Sequence, residues 1–280
     1  MQLATQQDRD EFAAKQADFV HELKIMKHLT KHCPADALVT RLLGVFEING
    51  VLNAVLDFAL VGSLDTLVLK DKRTAGAAEL SEHDKFNVAY QLACGLAACH
   101  AARIVHNDVA TRNALAYFSP DAMDKGLIVK ICDFGLSLKL PPGKKWATGD
   151  SSRPVPWKWA PIESLLFNPR FFWPPSDVYM LGCTIHEIFT GDTPFADLGD
   201  DQSGVGIGAL RDGRTVPVPA AVEKAGLGAL MKRALQRTAG ERQRAADGGV
   251  AATAAERDRD SAEQVGVKKQ RERECDVSEH

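Results

Sequence analysis

Apolar residues recur mostly at three- and four-residue spacing between residues 17 and 29, in the stretch ADFVHELKIMKHL; they are Phe19, Val20, Leu23, Ile25, Met26 and Leu29. This period predicts an amphipathic helix with one buried face. Asp18 and Glu22 lie in its early turns, where carboxylates interact favourably with the helix dipole. Residues 1–16 are polar and rich in Ala and Gln, and they either extend this helix or fray.

Two apolar segments come next, and they meet at Asn49-Gly50 within residues 39–58. Asn-Gly between apolar segments predicts a β-hairpin, because both residues tolerate positive φ. Ser81 is a predicted N-cap for a helix that continues to His100 and buries a set of apolar side chains, namely Phe86, Val88, Leu92 and Leu96.

The second half of the chain contains two further helical patterns and an apolar-poor tail. Residues 114–139 first provide two predicted short strands with a turn near residues 119–126. Residues 176–198 contain a helix suited to full burial, and residues 227–235 show helical spacing of apolar positions. From residue 245 onwards the chain has no Leu, Ile, Met, Phe, Tyr or Trp. We therefore expect a solvated helix or disorder at that end.

Composition narrows the class of protein. The formal net charge of −3 and the pI near 6.2 give no reason to expect nucleic acid or an acidic membrane as a partner. The most apolar run, residues 51–61, is too short to span a bilayer. There are six cysteines and no CxxC pair, and we see no signal peptide. The thiols are therefore predicted to be reduced and the protein to be cytoplasmic.

Candidate chemistry lies in the stretch IVHNDVATRNAL, residues 104–115. It places Asp108 five residues before Asn113, with Arg112 between them. Asp133-Phe134-Gly135 begins twenty residues after Asn113. Oxygen-bearing side chains on two such loops can hold Mg²⁺ against phosphates and orient an incoming hydroxyl, which is what phosphoryl transfer requires.

These two motifs resemble the catalytic and metal-binding loops of the eukaryotic protein kinases, nearest to the tyrosine-kinase branch. Two later stretches extend the resemblance, PVPWKWAPIESL and SDVYMLGCTIHEIFTGDTPFADL. The resemblance implies an α+β, two-lobed fold with an incomplete sheet in the small lobe and a mainly α-helical large lobe. It divides the chain into a polar extension (1–16), a partial small lobe (17–57), a large lobe (58–244) and a polar tail (245–280).

The resemblance also assigns roles to residues. It implies that ATP and Mg²⁺ are the cofactors and that a protein substrate or docking partner binds. The implied catalytic residues are Asp108 as the base, Arg112 beside the transferred phosphoryl group, and Asn113. The implied metal ligands are Asn113 and Asp133. The implied cofactor-binding residues are Leu56 as gatekeeper, Asp57 and Phe58 as hinge, Leu115 and Asp133.

Supporting roles follow from the same resemblance. Glu22 is the helix carboxylate that pairs with a Lys in the family, and Asp177 holds the backbone of the catalytic loop. Glu163 pairs with Arg242. Four side chains pack in an internal apolar column, namely His106, Phe134, Met26 and Leu42.

Departures from the family pattern bear on activity. Among the residues before Glu22 there is no G-x-G-x-x-G motif, and the nearest preceding Lys is Lys15. We therefore expect the first three small-lobe strands to be missing, the hairpin to show an unpaired edge and an uncovered apolar face, and Mg-ATP to bind weakly or not at all. Three interpretations remain: an enzyme represented by an incomplete catalytic domain, a catalytically silent binding module, or a non-functional fragment.

The segment 136–163 also differs from the family. Asn107 replaces the Arg that reads a phosphorylated residue there through a bidentate contact, which Asn cannot make. The segment contains no Tyr, so activation by tyrosine phosphorylation within it is not expected; the remaining hydroxyl targets are Thr148, Ser151 and Ser152. PPGKK and TGDSSRP predict a turn-rich, flexible stretch.

One metal alternative is present in the small lobe. His28 and His32 are four residues apart, and Cys33 follows directly. Such ligands can bind Zn²⁺, although no fourth ligand is evident.

Overall fold

The computed structural model describes residues 6–73, 79–119, 126–149, 155–166, 170–198, 204–236 and 242. Its helices are α1 (Gln6–His32), α2 (Asp65–Val68), α3 (Glu82–Ala101), α4 (Ile162–Leu166), α5 (Pro174–Thr190), α6 (Val205–Arg211), α7 (Ala220–Lys224) and α8 (Gly228–Ala234). Its strands are β1 (Leu42–Ile48), β2 (Val51–Leu56), β3 (Gly62–Ser63), β4 (Ile104–Val105), β5 (Ala114–Phe118), β6 (Leu127–Ile131), β7 (Leu138–Lys139), β8 (Ala147–Gly149) and β9 (Arg170–Phe172). None of the helices within these ranges has the length and apolar character needed to cross a membrane.

Helix α1 confirms the first predicted helix and extends it towards the N-terminus. It begins at Gln6, so extension rather than fraying is confirmed for residues 6–16. The apolar period still decides which face is buried, since Ile25, Met26 and Leu29 lie in the core. Residues 1–5 lie outside the described part of the chain.

The predicted hairpin is also confirmed. Strands β1 and β2 pair antiparallel with Ile48 opposite Val51, and the turn has φ of 51° at Asn49 and 78° at Gly50. Among the described residues this sheet has only these two strands. The prediction of an uncovered apolar face is confirmed, since four exposed side chains share one face of the hairpin by register: Phe46, Ile48, Val51 and Val55. Three further large apolar side chains of the hairpin are also exposed: Leu43, Val45 and Leu56.

The main core lies where α3 and α5 pack against each other and α3 packs against β6. Helix α3 starts as predicted, because the Ser81 hydroxyl accepts a hydrogen bond from the Asp84 backbone N–H at 3.1 Å. Gly95 on α3 allows close packing: a Cβ there would lie 2.3 Å from the Leu38 carbonyl oxygen. Core side chains from the three elements include Leu92, Ile131 and Met180.

Two small antiparallel sheets position the loops between them. One has the strand order β3–β5–β6, with Ala114 opposite Ile131. The other pairs β4 with β7, so that Ile104 lies opposite Lys139. The two strands predicted within residues 114–139 are confirmed as β5 and β6; residues 120–125 of the connecting turn lie outside the described part.

A second apolar cluster surrounds the other side of α5 and includes Tyr179, Cys183, Met231 and Leu235. The last two come from α8 and its C-cap, which confirms the helical pattern predicted for residues 227–235. The five cysteines within the described ranges are free thiols. Cys275 and the predicted tail, residues 245–280, lie outside those ranges.

Candidate active site

Asp177, which is fully buried on α5, binds the backbone at the start of the candidate catalytic loop. Its two carboxylate oxygens accept the backbone N–H groups of His106 and Asn107, each at 2.8 Å. Nε2 of His100 lies 2.7 Å from the same carboxylate. Asn107 has φ of 66°, a conformation that Asn tolerates better than most residues. The role predicted for Asp177 is thus confirmed.

A second α5 carboxylate, Glu187, supports the far end of the loop. It accepts the Thr111 backbone N–H at 3.1 Å, and Thr184 donates its hydroxyl to the Val109 carbonyl at 3.1 Å. Sequence reasoning missed both residues. A signal was present, because Thr184 and Glu187 follow Asp177 by seven and ten residues, which places all three on neighbouring positions of one helix face.

Burial of Glu187 has a consequence for stability. Burial raises the pKa of its carboxyl to about 7, and the hydrogen bond from the Thr111 backbone N–H offsets only part of that shift. The folded state therefore favours the protonated form relative to the unfolded chain, whose Glu pKa is near 4.5. The stability that this preference contributes is fully present below about pH 4.5 and is lost as the pH rises through 7.

Glu187→Gln is expected to remove this pH dependence, because Gln stays neutral and can still accept the Thr111 N–H. Between pH 5 and pH 8, the unfolding free energy of the variant minus that of the wild type should rise by on the order of 2 kcal/mol. Urea unfolding at several pH values measures this difference. Glu79→Gln is the control: Lys85 lowers the pKa of that exposed carboxyl, so its difference should stay flat over this range. A flat profile for Glu187→Gln would contradict the assignment.

Asp108 and Arg112 face each other within the loop, since the Arg112 guanidinium pairs with the Asp108 carboxylate. Arg112 also lies over the Trp159 ring, 4.4 Å from its centroid. Nδ2 of Asn113 donates to the Asp108 carbonyl at 2.7 Å. The three predicted catalytic residues therefore form one connected group.

Asp133 lies on the adjoining loop. Two contacts to the Cys132 backbone join the loops: Cys132 N–H donates to the Asn113 carbonyl at 3.0 Å, and the side-chain Nε2 of His106 lies 3.1 Å from the Cys132 carbonyl. Asp133 is exposed, has φ of 61° and accepts the Gly135 N–H at 3.2 Å. The predicted His106–Phe134 contact is present as an edge-on ring pair with centroids 5.1 Å apart.

The predicted hinge residues follow β2. Lys130 Nζ lies 3.1 Å from the Asp57 carboxylate, and Lys130 is the β6 partner of Leu115. The structure thus brings Asp57 and Leu115 to the same part of the β5–β6 sheet. Phe58 directs its side chain to solvent, with 83% exposure, and Leu56 is also exposed at the end of its strand.

Glu22 lies near Asp133. Burial and the negative charge of Asp133 raise the pKa of the Glu22 carboxyl, while a hydrogen bond from the Phe134 backbone N–H partly opposes the shift. Lys15 is not its partner, because it lies two turns earlier on α1 and pairs with Glu11 at 2.6 Å. Within the described ranges, Glu22 forms no ion pair with a lysine.

The zinc alternative is not supported. His28 Nε2 lies 2.9 Å from the Ala102 carbonyl, His32 Nδ1 contacts the His28 carbonyl, and the Cys33 thiol donates to the Ala98 carbonyl. Each candidate ligand thus has another partner. Over the ranges that the structure describes, no three His, Cys, Asp or Glu side chains are grouped to hold a metal ion.

The predicted pair between Glu163 and Arg242 is confirmed. The fully buried Arg242 guanidinium contacts the Glu163 carboxylate and donates to the Pro175 carbonyl at 2.9 Å. Burial lowers the pKa of Arg242 to about 10, so the guanidinium remains charged at neutral pH. Because Glu163 lies on α4 and Pro175 begins α5, Arg242 connects α4 to the start of α5.

Comparison with known proteins decides the family. The sequence profile of the family described as protein tyrosine and serine/threonine kinase matches residues 4–247. The chain belongs to this kinase family. Its matched region includes the loops of Asp108 and Asp133 and extends to Arg242.

Individual kinases match over shorter stretches. The BDNF/NT-3 growth factors receptor of Gallus gallus is 33% identical over 143 residues, covering 51% of this chain and 16% of the receptor. The tyrosine-protein kinase RYK of Mus musculus is 34% identical over 142 residues, covering 50% and 22%. The high affinity nerve growth factor receptor of Rattus norvegicus is 30% identical over 193 residues, covering 65% and 22%. The chain thus spans less than a quarter of the length of each of these relatives.

Proposed function

We propose that this chain carries the phosphoryl-transfer loops of an ATP-dependent, tyrosine-kinase-like protein kinase acting on protein hydroxyls. The observation that carries the proposal is the support of the loop by two buried carboxylates of one helix. Asp177 binds one end of the loop and Glu187 the other. Because both supports come from α5, the side chains of Asp108 and Asn113 are preorganised for chemistry.

Asp108 is proposed as the residue that orients the substrate hydroxyl and accepts its proton. It is only partly buried, so a substrate can reach it, and its backbone carbonyl is fixed by Asn113. Arg112 places a cation beside this carboxylate, where negative charge develops on the transferred group.

The donor set of Asn113 and Asp133 fits Mg²⁺. A carboxamide oxygen and a carboxylate are hard ligands, and Mg²⁺ is commonly bound by few protein ligands with phosphates and water completing its shell. When bound, the ion neutralises charge on the ATP phosphates. Leu56, Asp57, Phe58 and Leu115 are proposed to border the nucleotide base, near the Asp57–Lys130 pair.

We propose that nucleotide affinity is low in the chain as given. In the family, a glycine-rich loop and a Lys paired with the helix Glu hold the phosphates. The described residues place Glu22 beside Asp133 but include no lysine paired with Glu22, and Lys15 pairs with Glu11. The same observation favours a second candidate function, a catalytically silent kinase domain that serves as a protein-binding module.

A thermal-shift titration with Mg-ATP separates these candidates. With a dissociation constant near 1 mM, about 1 mM Mg-ATP would stabilise the fold by about 0.4 kcal/mol and raise the Tm by about 1 °C. We expect a shift of this size in the wild type and none in Asp133→Ala. Asp197→Ala, which removes an exposed carboxylate paired with Arg214, should keep the shift.

Other outcomes are informative. A shift of several degrees would contradict low affinity. If Mg-ATP does not shift the Tm and no phosphoryl group is transferred to a tyrosine-containing peptide pool at saturating Mg-ATP, the enzyme candidate is refuted. The protein-binding module is then the remaining candidate. If transfer occurs, Asp108→Asn should abolish it, and persistent transfer would refute the role of Asp108.

A further inference from the structure

Arg103, directly before β4, binds the segment that follows Asp133. Its guanidinium donates to the Pro141 carbonyl and to the Lys144 carbonyl, the latter at 3.0 Å. Its own carbonyl accepts the Leu140 backbone N–H at 2.8 Å. Arg103 has φ of 64°, which is unfavourable for a residue with a Cβ and is retained here with three contacts to the segment.

The two carbonyls that Arg103 binds are the ends of one closed turn. Lys144 N–H donates to the Pro141 carbonyl at 3.0 Å, and Pro142 and Gly143 occupy the central positions, with φ of 71° at the glycine. Pro followed by a positive-φ Gly is the pattern of a type II turn. A planar guanidinium can donate to both ends at once, so the turn is fixed as a unit.

Asn107 makes the corresponding contact nearer to Asp133. Its buried amide Nδ2 donates to the Leu136 carbonyl at 3.1 Å. The kinase family usually has an Arg here that binds a phosphorylated residue of this segment. The shorter Asn instead binds unmodified backbone, and its left-handed φ suits Asn well.

The remainder of the described segment is held by β9. Strand β8 pairs with β9, with Thr148 opposite Phe171, and the Trp146 ring packs edge-on against Phe171 with centroids 5.2 Å apart. Residues 136–149 thus contact Asn107, Arg103 and β9 in succession.

We propose that Arg103 and Asn107 are positioning residues that order segment 136–149 by binding its backbone carbonyls. The inference deepens the proposed function, because in the kinase family this segment shapes the surface that receives the protein substrate. It assigns the order of that surface to two side chains that lie outside the segment.

Hydrogen exchange on phosphatase-treated, nucleotide-free protein tests the proposal. In the wild type, the amides of Leu140 and Lys144 should exchange at least about 100-fold more slowly than in an unstructured peptide. Arg103→Ala keeps the Cβ and therefore the backbone strain, so it reports on the guanidinium alone. It should speed exchange over residues 137–147 about tenfold or more, with no change in residues 176–190 of α5.

Two variants complete the experiment. Arg103→Lys can reach one carbonyl and should show an intermediate exchange rate, a rescue that a general loss of packing would not give. Arg214→Ala, which removes an exposed guanidinium paired with Asp197, should leave residues 136–149 unchanged. If Arg103→Ala does not fold, Arg103→Gln, which also retains a single donor group, takes its place.

The proposal is overturned if Arg103→Ala exchanges within about twofold of the wild type, or if Arg214→Ala has the same effect. It is equally overturned if the phosphatase-treated segment exchanges like an unstructured peptide and becomes protected on phosphorylation. Because no nucleotide is present, a failed Mg-ATP titration leaves this result unaffected, and the two proposals can fail separately.

Discussion

Asp177→Ala is expected to lower the unfolding free energy by about 3–5 kcal/mol, one of the two largest effects among the variants considered. The substitution leaves the buried N–H groups of His106 and Asn107 without an acceptor, and each unsatisfied donor costs about 1–3 kcal/mol. Denaturant unfolding followed by tryptophan fluorescence measures the change.

Asp177→Asn separates hydrogen bonding from charge. Its single side-chain oxygen can accept one of the two N–H groups, so we expect an intermediate loss. Asp192→Ala is the control, since that carboxylate forms an exposed ion pair with Lys70. Its effect should be below about 1 kcal/mol. Equal effects of Asp177→Ala and Asp192→Ala would contradict a supporting role for Asp177.

Glu163→Ala is expected to have the second large effect, about 3–5 kcal/mol, because it leaves the Arg242 charge buried without its carboxylate. Arg242→Met should be milder, since it removes the buried charge and keeps an apolar side chain in its place. The double variant should then recover part of the loss seen in Glu163→Ala. Unfolding of the three variants gives the coupling energy directly.

The exposed pair of Arg214 and Asp197 provides the matched comparison. Breaking it with Asp197→Ala should change the unfolding free energy by less than about 1 kcal/mol. If Glu163→Ala is equally mild, or if Arg242→Met is more harmful than Glu163→Ala, the buried pair does not stabilise the fold in the way described.

Local patterns in the sequence predicted much of this fold. Asn49-Gly50 placed the hairpin because two residues of a tight turn determine its backbone, and Ser81 placed the start of α3 because capping is also local. The extension of α1 was left open because residues 6–16 lack an apolar period. Their Ala, Gln, Glu and Lys are nonetheless good helix formers, which agrees with the helix observed there.

In the candidate site, local sequence patterns predicted the loops but not all of the residues that support them. The loops of Asp108 and Asp133 were found because their motifs are short and closely spaced. Glu187 was missed because no motif marks it and its partner is a backbone N–H, that of Thr111; its place on the helix face of Asp177 was the available signal. The contact of Arg103 was missed for another reason: its partners are backbone carbonyls, which every residue has, so no side-chain pattern marks them.

The left-handed backbone at Asp133 would be relaxed by glycine, but the proposed chemistry needs the carboxylate. A glycine at this position would relieve the φ of 61°, and that alone would stabilise the fold by roughly 1 kcal/mol. It would also delete the carboxylate proposed to bind Mg²⁺. The backbone conformation alone would therefore favour glycine at this position, whereas a lineage that depends on the carboxylate must keep Asp133. The residue retained at 133 in this chain's immediate relatives would consequently record whether metal binding is still under selection.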